Sequence, residues 1–441
     1  MTESPRPQRT KPVRAPSLTL SLLPGGPGYE VWLGDGSVDR PGNRIGYGPV
    51  SRVENELLPL IRETLEPICK NFGDKLDPED APHLAAVALQ ELNIFGKTVW
   101  DYLLDPDALR EVWLAVASKS NHLSRRLRLE FRTPAEWPIP FELLPLASPP
   151  QSLDRQSSAA SLSDGFEEAL CNFSHIFPAF SAVTRHTVFD AVPNSSGGLL
   201  PTKRHIPSSS SLALVFLWHS GAPSAKEASE SITALHDSRI RVAPDGPFPR
   251  NRNLDSPRAV AGLLVDQGTD PEYHIVHIHA HGVTGEPSLQ KPHTLYFAYE
   301  TEGTRSFFRR SRRRSTRDVV VTNRNLLDAY DPTTPLTETG PLIFINACGA
   351  TAASYSGGLG LARFFLRHGY RAIVGPRVAI PGPAARRMAQ YFYEQLLRGN
   401  DLAEALLESR TQLFNNYFNP LGALYTIHGE SGLHIVGEAK K

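Results

Sequence analysis

The sequence predicts an α/β protein with a mostly parallel central sheet and helices on both faces of that sheet. The chain has 441 residues, of which 40% are hydrophobic and 21% charged, so it carries enough apolar material for a sizeable core. Strand-like and helix-like runs alternate strongly after residue 211, which indicates strand–helix–strand units. Two runs, LALVFLW and PLIFINA, are almost entirely apolar, as central strands buried on both faces require.

The predicted elements follow one another along the whole chain. Predicted strands cover residues 17–23, 126–132, 212–218, 240–242, 273–279, 294–299, 342–347, 372–374 and 424–428. Predicted helices cover residues 53–70, 81–104, 108–118, 224–236, 257–266, 325–330, 359–368, 383–398 and 402–415. Leu127, Leu129 and Phe131 alternate with polar residues, which is typical of a strand with one buried face. Asp401, followed three residues later by Glu404, indicates the start of a helix.

Segments rich in proline, serine or arginine divide the chain. Residues 1–17 are predicted to form a disordered tail, because they are basic, proline-rich and poor in apolar side chains. Residues 18–210 form a predicted amino-terminal half, which is mainly helical and ends in a serine-rich stretch. Residues 211–441 form the predicted α/β domain, and an arginine-rich stretch at 305–317 interrupts it.

The charge balance and the cysteine content argue against several classes of protein. Lys and Arg total 46 and Asp and Glu total 46, so no net positive charge favours a nucleic-acid binder. Cys69, Cys171 and Cys348 form no CxxC pair, so neither a disulfide framework nor a zinc ribbon is expected. The first residues do not resemble a signal peptide, and no run approaches the ~20 apolar residues needed to span a bilayer. We therefore expect a cytoplasmic protein without a membrane span.

A histidine and a cysteine each follow an apolar predicted strand. His281 comes just after the strand at 273–279, and Cys348 comes directly after the strand at 342–347. The carboxyl ends of parallel strands meet at one edge of a sheet, where catalytic residues of open α/β folds gather. A thiol attacks a carbonyl as the thiolate, and a nearby imidazole can accept its proton and later protonate the leaving amine. The backbone N–H groups of Gly282 and Cys348 are then expected to bind the developing oxyanion.

Several segments around these residues resemble the CHAT family, the caspase-like peptidases that are grouped with caspases and separases. HIVHIHAHG carries the histidine, and PLIFINACGATAA carries the cysteine in the small-residue setting Asn346-Ala347-Cys348. Other segments that resemble the family are EFRTPAEWPIPFELLP, GLGLARFFLRHGYRAIVGPRVAI, MAQYFYEQLLRGNDLAEALLESR and NPLGALYTIHG. The resemblance covers about residues 120–437.

The resemblance implies a caspase-like three-layer α/β/α protease domain at 211–441, preceded by a helical or pseudo-protease half at 18–210. It implies a cysteine endopeptidase that needs no metal or other cofactor, with Cys348 as the nucleophile and His281 as general base and then general acid. It also implies an activating partner or trigger. Its substrate is then a protein, such as a pore-forming toxin that is cleaved in antiviral defence or cell death.

Two charged residues are candidate contacts of the substrate. Arg377 follows a short apolar strand, and Asp318 follows the arginine-rich stretch at 305–317. In a caspase-like fold the loops beside the strand ends form the pocket for the substrate side chain next to the scissile bond. The arginine-rich stretch itself lies between His281 and Cys348, which makes it a candidate for self-cleavage.

Two other functions stay open from the sequence alone. His277, His279 and His281 alternate along one predicted strand and share a face, and a strand His-x-His can bind zinc or copper. A metal-dependent hydrolase is therefore one alternative, although no HExxH motif and no acidic partner motif accompany these histidines. The other alternative is a catalytically inactive scaffold that keeps the caspase-like fold and binds a partner protein through its amino-terminal half.

Overall fold

The computed structural model describes the parts of the chain that carry its regular elements. The described residues are 17–25, 27–35, 42–72, 76, 80–120, 127–133, 137, 139–146, 170, 173–174, 176–188, 205–206, 212–218, 225–234, 240–243, 256–269, 273–283, 294–301, 315–331, 333, 340–347 and 361–435. The predicted tail lies outside these residues, except that the first strand begins at Ser17.

The strands in the described residues agree with most of the predicted ones. They are β1 (Ser17–Gly25), β2 (Gly28–Gly34), β3 (Asn43–Pro49), β4 (Arg128–Thr133), β5 (Val183–Val188), β6 (His205–Ile206), β7 (Leu212–Trp218), β8 (Ile240–Ala243), β9 (Ile275–His279), β10 (His281–Val283), β11 (Thr294–Thr301), β12 (Ser315–Thr322), β13 (Leu342–Asn346), β14 (Ala372–Pro376), β15 (Tyr425–Gly429) and β16 (His434–Ile435). The sequence pattern did not predict β2, β3, β5, β6, β10, β12 or β16. Of these, β2, β3, β5 and β12 carry glycine or charged residues among their apolar ones, and β6, β10 and β16 are only two or three residues long.

The helices begin and end close to their predicted positions, except that the short helix at Pro178–Ser181 was not predicted. They are α1 (Leu58–Phe72), α2 (Ala81–Leu103), α3 (Pro106–Ser120), α4 (Pro178–Ser181), α5 (Ala225–Ala234), α6 (Pro257–Thr269), α7 (Asn323–Ala329), α8 (Leu361–Arg367), α9 (Gly382–Leu397) and α10 (Leu402–Tyr417). An α-helical turn at Val50–Arg52 and a π-helical turn at Val53–Leu57 precede α1, and 3₁₀ turns lie at Phe141–Leu143 and Pro420–Leu424. In the described ranges no helix combines the length and the apolar character that crossing a membrane requires.

Eleven of the described strands form one sheet, in the order β3-β2-β1-β4-β5-β15-β14-β13-β9-β7-β8. Seven neighbouring pairs in this sheet are parallel. The three antiparallel pairs are β1–β2, β2–β3 and β14–β15. The predicted α/β class with a mostly parallel sheet is therefore confirmed. A smaller sheet has the strand order β10-β11-β12, and a single residue, Ala280, separates the end of β9 from the start of β10.

Helices cover both faces of the carboxyl-terminal part of the sheet, because successive side chains of its strands point to opposite sides. In β13, Ile343 and Ile345 contribute to a core that also contains residues of α6 and α8. Leu342 and Phe344 contribute to a different core, formed with residues of α5, α9 and α10. The result is the three-layer α/β/α arrangement that the sequence predicts.

The amino-terminal strands pack against helices α1 to α3 in a third core. Leu18, Leu20 and Leu22 of β1 share this core with Leu89 of α2, and Phe414 of α10 belongs to it as well. The sheet and this core thus both run across residue 210, where the two halves were predicted to meet. The domain boundaries themselves stay a prediction.

Phe344 lies at the centre of the sheet, and its replacement should be costly. The side chain is fully buried, and its ring centroid lies 5.0 Å from that of Phe392 and 5.7 Å from that of Tyr393. We expect Phe344→Ala to lower the free energy of unfolding by about 3–5 kcal/mol, because a cavity remains where the ring was. Urea denaturation followed by circular dichroism measures this loss.

The matched control for that measurement is Leu114→Ala. Leu114 lies on α3 and is 53% exposed, so its truncation should change the free energy of unfolding by no more than about 0.5 kcal/mol. A similar loss in both variants would contradict the central position of Phe344.

Candidate active site

Strands β9 and β13 end at the same level of the sheet. They are parallel neighbours, and the last residues of the two strands, His279 and Asn346, lie opposite each other. The backbone N–H of Ala280 then donates to the carbonyl of Asn346 at 3.1 Å, which keeps the two segments together beyond the last paired residues. The two predicted catalytic residues follow these strand ends in the sequence.

The histidine position begins a new strand. His281 lies opposite Tyr296 and Gly282 lies opposite Leu295, in the antiparallel pairing of β10 with β11. The backbone at His281 is therefore held between the main sheet and the smaller one. Cys348 lies outside the described residues, so the contact between the two catalytic side chains stays a prediction.

The side chain of Asn346 fixes the end of β13. This residue is buried, its Nδ2 donates to the carbonyl of Ala385 in the first turn of α9 at 3.2 Å, and its Oδ1 accepts from the hydroxyl of Tyr425 at 2.7 Å. Both ends of the amide thus have partners from different elements. A buried amide with both groups hydrogen-bonded resists displacement, because moving it would leave unsatisfied polar atoms.

Beside Tyr425 lies a cluster of three buried ionisable residues, Glu142, Arg377 and Arg410, which we call the buried charge cluster. The side chains of Arg377 and Glu142 are 4% and 2% exposed, and Nη2 of the arginine lies 3.4 Å from a carboxylate oxygen of the glutamate. The other carboxylate oxygen accepts a hydrogen bond from the hydroxyl of Thr426. The cluster therefore contacts the second residue of β15, directly beside the residue that holds Asn346.

Arg410 completes the cluster from α10. Its Nη2 donates to the backbone carbonyl of Tyr425, and its Nη1 donates to the hydroxyl of Thr184 in β5 at 3.2 Å. The carboxylate of Glu142 thus faces the guanidinium groups of Arg377 and Arg410. Backbone and hydroxyl oxygens accept the other hydrogen bonds that Arg410 donates. Such acceptors partly replace the water that a buried guanidinium has lost.

The pKa values of the cluster reflect both burial and charge. Burial alone would raise the pKa of Glu142, but Arg377, Arg410 and the hydrogen bond from Thr426 hold it below its ordinary value. Burial lowers the pKa of Arg377, and Glu142 opposes that effect. Burial also lowers the pKa of Arg410, to about 10. At neutral pH all three side chains are therefore charged.

The two residues that were predicted to contact the substrate lie in different parts of the fold. Arg377 follows β14 at the same edge of the sheet, but its guanidinium is buried against Glu142. Asp318 lies within β12, opposite Ala298, rather than in a loop, because β12 already begins at Ser315. Contact of either residue with a substrate stays a prediction.

Sequence reasoning missed Glu142, Arg410 and the role of the Asn346 side chain. One signal was available for Glu142, which is the single charged residue in the apolar segment WPIPFELLP. Charged residues are almost never fully buried unless they are paired, so a carboxylate in such a segment indicates a buried partner. The partner itself was not predictable, because Arg377 lies more than 200 residues further along the chain.

His277 is a core residue of β9. Its ring stacks between Phe216, at 4.3 Å between centroids, and Phe344, at 5.1 Å, and its Nδ1 forms a 2.9 Å hydrogen bond with the hydroxyl of Tyr393. Among the described residues no group of three or more His, Cys, Asp or Glu side chains could hold a metal ion. His281, the third histidine of the alternating set, belongs to a different strand and a different sheet.

Burial of His277 should make stability depend on pH. Burial, with a smaller effect of His279, holds its pKa well below 6.5, whereas in the unfolded chain it titrates near ~6.5. The unfolded state therefore binds the proton more readily, and stability falls as the pH drops below ~6.5. Between pH 7 and pH 5.5 we expect the wild type to lose about 1 kcal/mol more unfolding free energy than His277→Asn.

Denaturant unfolding of both proteins at the two pH values measures that difference. Asparagine keeps an amide near the position of Nδ1 but does not titrate, so the comparison within each protein removes the cost of the substitution itself. An equal pH dependence in both proteins would contradict the assignment of His277 as a neutral core residue.

The charge balance of the cluster predicts an order of stability losses. Glu142→Gln leaves two buried guanidinium groups without a carboxylate, so we expect a loss of about 3–5 kcal/mol. Arg377→Met leaves Glu142 balanced by Arg410, and the loss should be smaller. Urea denaturation of the two variants tests this order, with the exposed pair of Arg44 and Glu30 as reference.

For that reference, Glu30→Gln should cost less than about 1 kcal/mol, because partly exposed ion pairs contribute little. A larger loss in Arg377→Met than in Glu142→Gln would show that packing, not charge, dominates the cluster.

Comparison with known proteins identifies the family. Residues 93–419 match the family model of the CHAT domain. A protein of Vitiosangium sp. (strain GDMCC 1.1324) that is named a probable protease is 34% identical over 103 residues, which are 23% of this chain. The match covers 13% of that protein's length.

Two solved structures are similar at low sequence identity. The complex of Saccharomyces cerevisiae separase with securin has a TM-score of 0.41 at 11% identity, and the match covers 96% of this chain and 30% of that chain. A structure described as a protease has a TM-score of 0.40 at 8% identity, and the match covers 74% of this chain and 68% of that chain.

The match to the family model extends over well more than half of the 441 residues and includes both strand ends of the candidate site. The chain therefore belongs to the CHAT domain family of caspase-like peptidases.

Proposed function

We propose that this protein is a cysteine endopeptidase in which His281 and Cys348 form the catalytic dyad. One observation carries the proposal: the parallel strands that lead to these residues end in register, with His279 opposite Asn346. Each catalytic residue follows its strand end by two positions. Neighbouring strands lie ~4.8 Å apart, and two residues span at most ~7 Å, so the two side chains can reach each other.

In this proposal the imidazole of His281 accepts the proton of the Cys348 thiol. The thiolate forms a bond with the carbonyl carbon of the substrate peptide, and the amides of Gly282 and Cys348 bind the resulting oxyanion. As the tetrahedral intermediate collapses, the imidazolium gives its proton to the leaving amine and an acyl-enzyme remains. Water, deprotonated by His281, then hydrolyses the thioester and regenerates the thiol.

The position of Asp318 on the same small sheet as His281 supports a contact of Asp318 with the protein substrate. Val320 of β12 is in the same cross-strand row as Tyr296 and His281, and Asp318 lies two residues from Val320 along β12. Asp318 is therefore our candidate for contacting the substrate. The buried position of Arg377 beside Glu142 favours a supporting role for that residue instead.

Regulated cleavage of a dedicated protein is the biological role that we propose. A freely active endopeptidase would harm its host, so an activating partner or trigger is part of the proposal, and so is self-cleavage in the arginine-rich stretch at 305–317. The resemblance to the family supports a partner such as a pore-forming toxin, cleaved in antiviral defence or cell death, by analogy alone. The relative named a probable protease supports peptidase activity.

The direct test compares the full-length wild type with Cys348→Ala and His281→Ala. Each protein is incubated with a peptide library prepared from a proteome, both alone and with an extract of the source cells that supplies the activating partner, and new peptide ends are identified by mass spectrometry. The wild type should cut at a defined set of sites, Cys348→Ala should not cut, and His281→Ala should be slower by about 10²–10⁴. Cys69→Ala removes a buried cysteine of α1 and should cut like the wild type.

Alkylation of Cys348 by iodoacetamide supplies a second measurement that needs no substrate. A thiol beside an imidazole reacts with a pH midpoint below ~8.5, and His281→Ala should return the midpoint to ~8.5. A midpoint that does not respond to His281→Ala, or cleavage that persists in Cys348→Ala, would contradict the dyad. Cleavage that a chelator abolishes and an alkylating reagent does not would support the metal-dependent alternative.

A further inference from the structure

We propose that the Tyr425 hydroxyl and the Asn346 amide, supported by Glu142, position the segments that carry the catalytic dyad and so set the reactivity of Cys348. The inference rests on the proposed function, because it assigns positioning residues to that same dyad. It adds that a residue of the predicted amino-terminal half, Glu142, controls the chemistry of the carboxyl-terminal half.

Asn346 joins the two segments that carry the dyad. Its backbone carbonyl accepts from the N–H of Ala280, which immediately precedes His281. Cys348 follows Asn346 by two residues in the sequence. A displacement of this residue therefore moves the segments of both catalytic groups, and a misplacement of about 1 Å can cost as much as 10²-fold in rate.

Tyr425, the first residue of β15, fixes the amide of Asn346 from the far side of β14. Its hydroxyl donates to Oδ1 of Asn346 at 2.7 Å, and its ring is buried. Its backbone carbonyl accepts from Arg410, and it is the partner of Pro376 in the pairing of β15 with β14. Because both the ring and the backbone of Tyr425 are held, its hydroxyl defines one position for the amide.

Glu142 extends this arrangement into the amino-terminal part of the chain. Its carboxylate accepts from the hydroxyl of Thr426, the residue after Tyr425, and pairs with Arg377, the residue after β14. Glu142 therefore holds the adjoining ends of β14 and β15 together. A change at Glu142 reaches the dyad through Thr426, Tyr425 and Asn346 in that order.

The test measures the rate of Cys348 alkylation by iodoacetamide against pH in the full-length protein, with mass spectrometry to separate Cys348 from the other cysteines. Tyr425→Phe removes one hydroxyl and keeps the ring. We expect it to slow alkylation at neutral pH at least tenfold and to raise the pH midpoint. The matched control is Tyr370→Phe, which removes a buried hydroxyl that donates to the carbonyl of Leu264 and lies before the opposite end of β14.

A second pair of variants tests the route from Glu142. Thr426→Ser keeps the hydroxyl that donates to Glu142 and should retain the wild-type profile, whereas Thr426→Val removes it and should behave like Tyr425→Phe. Thermal unfolding of each variant accompanies the measurement. The Thr426 pair keeps the proposal testable if Tyr425→Phe fails to fold, because valine keeps the shape of threonine without its hydroxyl, whereas serine keeps the hydroxyl without the methyl group.

The outcomes separate this inference from the proposed function. If His281→Ala leaves the wild-type profile unchanged, no dyad exists and the proposed function fails. If His281→Ala shifts the profile but Tyr425→Phe and Thr426→Val do not, the dyad stands and the positioning inference is overturned. If Tyr370→Phe shifts the profile as much as Tyr425→Phe, general loosening of the sheet explains the effect and the inference is also overturned.

Discussion

The parallel pairing of β9 with β13 determines where two segments of the chain leave the sheet. His279 and Asn346 are the last paired residues, and the hydrogen bond from Ala280 to Asn346 continues the contact. A shift of either strand by one residue would turn every side chain to the other face and move Phe344 out of its core. The same aromatic and aliphatic packing that stabilises the sheet therefore also determines how the ends of β9 and β13 lie relative to each other.

The buried charge cluster adds a constraint of a different kind. Burying Glu142, Arg377 and Arg410 costs desolvation energy, so the cluster is weak evidence for stability. Its hydrogen bonds are directional, however, and they join five segments of the chain at one point: the turn at Phe141–Leu143, the end of β14, α10, the start of β15 and β5. We infer that the cluster selects one arrangement of these segments.

The elements with simple patterns were predictable from the sequence, and the long-range pairings were not. Apolar runs gave β7, β9, β13 and most helices, because a strand buried on both faces has no polar residues to obscure it. The strand β12 was missed because its first four residues are polar or charged and only residues 319–321 are apolar. The sequence also placed His281 and Cys348 after strands, whereas it did not show that Glu142 pairs with Arg377, since periodicity carries no information about distant partners.

The position of β15 has a consequence for how the chain folds. It follows every other strand of the large sheet in the sequence, yet it lies between β5 and β14 in the middle of that sheet. If the other strands pair during synthesis, the chain would therefore contain two separate part-sheets, each with a bare edge where β15 inserts, until residues 425–429 have emerged. Such edges and such distant contacts slow folding and promote aggregation, so we expect biosynthesis of this protein to depend on chaperones.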